Sequence, residues 1–386
     1  MHGLNGEMER PDWPPLALAE VDAVLRRFPA AGGAVRILSV SPRPFSSGGV
    51  VQTPRGPVFV KRHARAVRDV EGLLEEHRLL AHLAGRLPEL VQAPLANVDG
   101  ETAVAVGEWT YEVHPVARGE DVYREALSWT PFLRVEDARA AGRALGRLHL
   151  ASAGYDAPAR MERQLVSSFT VFAGDPIARM ERYLSSRPLL RAYAEERDWR
   201  GDFERLLLPL YSKLEPSLAG LTPLWTHNDF HASNLMWSGA GADAEVTGII
   251  DFGLSDRTNA VHDLATAIER NVVEWLRAFD AGDDSDVMHV DQLIALLDGY
   301  CEVAPLSYEE GRALVAMLPL VHCEFALSET DYFLSVLGSR EKAWFAYEGY
   351  FLRHAEWFSS ACGLRLLEAV EQWIESGAEA RTGVRA

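Results

Sequence analysis

Residues Thr226–Trp237 read THNDFHASNLMW, and Thr247–Asp256 follow as TGIIDFGLSD. The first stretch packs two histidines, an aspartate and two asparagines into the eight residues from His227 to Asn234. Between the two stretches, SGAGADAE is a Gly-rich turn region flanked by the short apolar runs NLMW and VTGII. Two such runs around such a turn predict a β-hairpin. A hairpin sets the start of its first strand beside the end of its second, so Asn234 and Asp251 are expected to meet at its mouth. An amide oxygen and a carboxylate are hard donors that suit Mg²⁺. Asp229 lies five residues before Asn234 on an irregular lead-in and can face the mouth without being a ligand. A base placed there would orient and deprotonate a hydroxyl attacking a metal-bound phosphate.

The order H-x-D-x-x-x-x-N, hairpin, D-F-G is that of protein kinases. His227, Asp229 and Asn234 supply its first part, and Asp251, Phe252 and Gly253 its second. Such a site needs a nucleotide clamp upstream. Lysine is scarce in this chain, with only Lys61, Lys213 and Lys342 against 35 arginines. Lys61 ends the strand-like run PVFVK, and a compact ammonium there suits the α- and β-phosphates. Residues 67–86 have the spacing of an amphipathic helix, with Val70, Leu73, Leu74, Leu80 and Leu83 on one face. Glu76 is the expected partner of Lys61, since Leu80 and Leu83 follow it by four and seven residues. In FSSGGVV, Ser47, Gly48 and Gly49 are expected to bring backbone amides to phosphate.

The chain has 386 residues, 48% hydrophobic and 24% charged, the composition of a globular protein with a filled core. Strand-like runs and one long helix occupy residues up to 117, and from 118 to 386 the pattern is mainly helical, including 160–219 and 259–377. The expected architecture is therefore α+β and two-lobed. A small antiparallel sheet with a helix (1–117) clamps nucleotide, and a larger helical lobe (118–386) carries the catalytic loop and substrate site. The formal net charge is −18, which argues against nucleic acid as a partner. Residues 1–115 account for −2 of it and the remainder for −16, so the second half favours a cationic partner. No apolar run reaches the roughly 20 residues needed to cross a bilayer. MHGLNGEMERPDWPP is acidic and polar, unlike a secretory leader. Cys301, Cys323 and Cys362 lack ligand spacing, and a cytoplasmic protein with no membrane contact is expected.

HNDFHASN, IIDFG and HDLA (His262–Ala265) together resemble the aminoglycoside phosphotransferase and choline kinase-like family of the protein-kinase-like fold. AAGRALGRLH also looks like the helix that precedes that family's core. The resemblance covers most of the chain, with residues 226–265 its specific part. It implies ATP- or GTP-dependent phosphorylation of a small-molecule hydroxyl. Asp229 would be the base, Asn234 and Asp251 the Mg²⁺ ligands, and Asp263 a carboxylate steadying the loop. It also places the adenine hinge at YEVHPVARG, with the carbonyl of Pro115 and the amide of Ala117 facing the base. Asn228 stands where the family usually has glycine. The acceptor is expected against the acidic helical lobe, with His231, Glu324, Asp331 and Tyr332 as candidate contacts. A cationic or polyhydroxylated acceptor fits, such as an aminoglycoside- or nucleoside-like antibiotic or an amino sugar, as for a resistance enzyme. A choline- or homoserine-like metabolite is the alternative.

Other readings explain fewer residues. A Zn²⁺ hydrolase using His227, Asp229 and His231 leaves Asn234, the D-F-G and Lys61 without roles. A protein kinase needs an A-P-E signature, which this chain lacks, and NAVHDLATAIER begins within about eight residues of Gly253. No G-x-x-x-x-G-K-[ST] occurs, so the P-loop class is excluded. A non-catalytic nucleotide-binding relative would not require the full catalytic set.

Overall fold

The computed structural model describes residues 11–161, 163–166, 168–278 and 287–382. Residues 1–10, from the stretch expected not to be a secretory leader, and residues 279–286 of the expected helical region lie outside them. Alternating apolar residues build a five-stranded antiparallel sheet from β1 (Arg36–Val40), β2 (Ser47–Thr53), β3 (Gly56–Ala64), β4 (Ala103–Val106) and β5 (Trp109–Pro115), in the order β1-β2-β3-β5-β4. Val58 and Val60 of β3 point to one face and pack with Val21, Val24 and Leu25 of α1 (Leu18–Leu25). The period of two sends Phe59, Lys61 and His63 to the other face. That face meets α2 (Val70–Arg86), whose N-terminus is capped by Asp69 accepting from the Gly72 amide at 2.8 Å. Leu73, Leu80 and Leu83 are buried as their spacing predicts.

Beyond Pro115 the chain crosses to the helical lobe. The crossing is fixed at Gly119, whose φ of +102° and lack of Cβ let it lie against the Trp237 carbonyl. Glu120 and Trp237 then exchange backbone hydrogen bonds of 2.7 and 2.9 Å. α3 (Val135–Ser152) buries the stripe Ala138, Ala141, Leu145 and Leu148. Its Gly142 lies directly on the backbone of the helix Val290–Cys301, where a Cβ would collide with the Leu296 carbonyl.

The hairpin forms as expected. β7 (Leu235–Trp237) pairs antiparallel with β8 (Val246–Ile249), Leu235 opposite Ile249. A second ribbon of β6 (Pro223–Thr226) and β9 (Asp256–Asn259) brackets it, so both ends of the stretch 226–256 are tied into strands. The expected helix over 160–219 begins only at Pro176. Upstream, backbone amides of an irregular segment bond to buried acceptors on other elements instead. Arg160 donates to Asp256 at 2.7 Å, Leu165 to Ser328 at 2.7 Å, and Ser168 and Val171 to Glu324 at 3.0 Å each. Side chains from distant elements thus replace the intrahelical ladder. The result is a two-lobed, protein-kinase-like α+β fold. Among the described residues no helix is long and apolar enough to cross a membrane.

Candidate active site

The stretch 227–234 has little regular structure of its own and is held by one helix. Asp263, in the first turn of Ala260–Val272, is fully buried and accepts the amides of His227 at 2.8 Å and Asn228 at 2.7 Å. His149 of α3 completes its shell at 3.0 Å. Two turns on, the Arg270 guanidinium pairs with the Asp229 carboxylate. Next to it, Asn271 accepts the Ala232 amide at 2.8 Å and donates to the Phe230 carbonyl at 2.9 Å. Asn228, at the family's usual glycine, has φ of +59°. Asparagine tolerates that region better than most residues, and here its side chain is bonded by Thr226 at 2.8 Å and donates to the Leu254 carbonyl at 3.2 Å. His227 lies between the loop and the D-F-G. Its Nε2 is 3.0 Å from the Ile250 carbonyl, which makes that nitrogen the donor and leaves Nδ1 to accept the Asp229 amide at 3.2 Å. The ring of Phe252 packs on it at 4.6 Å.

At the mouth, the Ile250 amide donates to the Asn234 carbonyl at 3.0 Å, which closes the hairpin beside Asp251. Asn234 spends its amide nitrogen on Asp229, at 2.9 Å to the carbonyl and 3.2 Å to the carboxylate. Its oxygen is thereby the atom left for a cation. Asp251 sits at φ +61°, and its carboxylate accepts from Lys61 at 2.8 Å. A cavity of about 410 Å³ between sheet and hairpin is lined by Gly48, Gly49, Lys61, Pro115, Asn234 and Asp251, among others.

The charges are strongly mutual. Burial alone would raise the Asp229 pKa, but the Arg270 guanidinium, helped by His231, holds the carboxyl well below the usual carboxylate range. For Asp251 the same burial is outweighed by Lys61. Lys61 in turn is pushed above its ordinary value, because Asp251, Glu112 and Glu76 together overcome its desolvation. Both acids are therefore ionised and the lysine charged at neutral pH.

Several expected site residues are placed differently. Lys61 bonds Asp251 across the lobes rather than Glu76. Glu76 faces two buried arginines, Arg68 at 3.6 Å and Arg160 at 4.0 Å. Gly48 and Gly49 lie inside β2 and line the cavity, while Ser47 is buried away from it, donating to the Pro14 carbonyl at 2.8 Å. The loop over the cavity is Ser41–Ser46. Ala117 lines the cavity with Pro115. His231 is buried beside Asp229, at 3.6 Å. Glu324, Asp331 and Tyr332 are not among the residues that line the cavity: Glu324 accepts from residues 168–171, Asp331 accepts from Ser335 at 2.7 Å, and the Tyr332 hydroxyl donates to Asp12 at 3.0 Å.

Two cations escaped the sequence reading. Arg43 reaches from the Ser41–Ser46 loop to the Ser128 hydroxyl at 2.9 Å and lines the cavity, within the field of Asp121, Asp251 and Asp229. Arg270 follows Asp263 by seven residues, a spacing that puts both on one helix face.

Comparison with known proteins agrees with this fold. A family model described as "Phosphotransferase enzyme family" matches residues 50–306. No curated protein matches the chain. Among solved structures, a microcompartment-associated aminopropanol kinase is 17% identical with a TM-score of 0.58, covering 93% of this chain and 98% of its own. An aminoglycoside phosphotransferase from Alicyclobacillus acidocaldarius subsp. acidocaldarius DSM 446 is 16% identical with a TM-score of 0.53, covering 97% and 99%. A spectinomycin phosphotransferase solved with ADP and spectinomycin is 12% identical with a TM-score of 0.50, covering 93% and 100%.

Proposed function

From the premise that this chain belongs to the phosphotransferase enzyme family and is a small-molecule kinase, we propose that it transfers the γ-phosphoryl group of ATP or GTP to a hydroxyl of a small acceptor. The observation that carries the reading is the anchoring of Asp229 by Arg270 and Asn234 at a hairpin mouth that also holds Asp251 and Lys61. Asp229 aligns the acceptor hydroxyl and takes its proton. Lys61 neutralises the α- and β-phosphates, and Arg43 adds a cation from the loop above. Pro115 and Ala117 face the purine at the hinge. The Asn234 oxygen and the Asp251 carboxylate are hard donors and fit Mg²⁺. Asn234 and Asp251 would hold it, and its charge would neutralise the transferring phosphoryl group. Most of the barrier lowering then comes from positioning and electrostatics.

The acidic second half supports a cationic or polyhydroxylated acceptor, of the antibiotic or amino-sugar kind after which two of the fold relatives are named. One observation favours a compact metabolite of the choline or homoserine kind instead. The Arg270 guanidinium beside Asp229 lies under Trp129 and Phe325, at 4.8 and 5.0 Å, and a polycation would bring further positive charge next to it. A nucleotide-coupled screen across antibiotics, amino sugars, nucleosides and small amino alcohols separates the two. Equal turnover by wild type and Asp229→Asn with every acceptor would leave only a non-catalytic nucleotide binder.

Arg270 also sets a pH dependence. Asp229 stays ionised above about pH 4, where a free aspartate titrates, so its protonation gives the wild type no acid limb there. In Arg270→Met the largest opposition to burial is gone and the carboxyl's pKa rises, with His231 and His227 still opposing burial. The acid limb of the kcat/KM profile should then move to higher pH. An unchanged profile would show that Arg270 does not control this charge.

A further inference from the structure

Behind Lys61, on the sheet face that meets α2, three imidazoles converge on one carboxylate. Glu112 of β5 lies opposite Lys61 in the β3–β5 register and is 1% exposed. His63 Nε2 is 2.9 Å from its Oε1, while His77 Nε2 of α2 and His114 Nε2 of β5 are each 2.8 Å from its Oε2. The ligand atoms of His77, Glu112 and His114 all lie within 4.8 Å of one another. The transfer chemistry uses none of these four side chains.

We propose that His77, Glu112 and His114 form a three-ligand site for a divalent transition-metal ion of the zinc class. Imidazole nitrogens with one carboxylate are a donor set that Zn²⁺ takes in tetrahedral geometry and Mg²⁺ does not favour. Each Nε2 now donates to Glu112, so metal binding would displace those protons. An outer partner is also in place, since His77 Nδ1 is 2.7 Å from the Thr102 hydroxyl. With Nε2 on the ion, Nδ1–H would donate to Thr102 and fix the ring. Glu112 and His114 line the nucleotide cavity, which provides an entry path. An ion here would join α2, which carries Glu76, to β5, the strand that leads to the hinge.

The test uses full-length protein stripped with a chelator and then given Zn²⁺ in the presence of millimolar Mg²⁺. Metal content is measured after gel filtration, affinity by competition with a chromophoric chelator, and the thermal midpoint with and without Zn²⁺. One zinc per chain and a raised midpoint are expected. His77→Gln and His114→Gln should each abolish stoichiometric uptake. Thr102→Val, which keeps every ligand, should weaken affinity by about 10–100-fold. Asp251→Asn should leave uptake unchanged, which separates this site from the proposed Mg²⁺ site. A wild type that takes up no zinc under these conditions, or histidine variants that bind it as tightly, would show that the cluster is a hydrogen-bonded core and overturn the proposal. Neither result bears on phosphoryl transfer.

Discussion

Asp229→Asn should lower kcat by ~10²–10⁴ while nucleotide affinity stays within a few-fold of wild type. The substitution preserves shape and leaves Lys61, Asp251 and the cavity lining in place. It removes the only atoms at the hairpin mouth able to receive a hydroxyl proton while anchored on both sides, by Arg270 and by Asn234. A stability cost accompanies it. Arg270 is 2% exposed, and losing its carboxylate leaves a buried guanidinium facing Glu269 at 3.8 Å. Kinetics therefore need a parallel calorimetric titration with nucleotide at a temperature where the variant is folded. A base role requires a large fall in kcat beside an intact titration. Lost nucleotide affinity with kcat retained would instead make Asp229 part of the phosphate site, and the assignment of base and metal ligands would have to be redrawn.

The parts of this site that could be read from sequence are those whose chemistry is local. His227, Asp229, Asn234 and Asp251 fall within 25 residues, and a Gly-rich turn between two apolar runs fixes which of them face each other. Strand period and helix period likewise place Lys61 and Glu76 on facing surfaces. They do not decide which charge Lys61 prefers. That choice depends on Arg68 and Arg160, and Arg160 arrives from an irregular segment whose Arg- and Glu-rich composition reads as helix. The same segment explains the misplaced acceptor contacts. Glu324 looks like an acid awaiting a cation, but its buried carboxylate is consumed by the backbone and hydroxyl donors of residues 168–171. A carboxylate's duty is set by the donors that reach it, and those donors lie more than 150 residues away in sequence. Arg270 and Asn271 were hidden for the opposite reason. They sit in an ordinary helical pattern, and only their distance of about 40 residues from the loop, closed by the fold, gives them a role.

Asp263→Ala should destabilise the protein by about 3–5 kcal/mol and take phosphoryl transfer with it. The carboxylate receives two backbone amides and one imidazole in a fully buried position. Truncation orphans both N–H groups in a site with no open path for water, at about 1–3 kcal/mol for each lost partner and less than additively. Against a typical stability of 5–15 kcal/mol that is a large share. The amides belong to His227 and Asn228, and Asn228 holds a left-handed conformation that asparagine tolerates but does not prefer. Without Asp263 the loop has less reason to keep that conformation, so Asp229 loses its aim even in molecules that remain folded. Asp263→Asn keeps one acceptor but turns an NH₂ toward a backbone donor, and should fall between alanine and wild type. The pH dependence gives an independent reading. Burial raises the Asp263 pKa, but the bond and charge of His149, with His227, bring it below the ordinary aspartate value. A depressed folded-state pKa means that its contribution is complete above about pH 4 and lost as the pH falls below it. Urea midpoints measured from pH 7 down to pH 3 should therefore converge for wild type and Asp263→Ala at the acid end. A gap that stays constant across the range would mean that the carboxylate's charge is not what holds the loop.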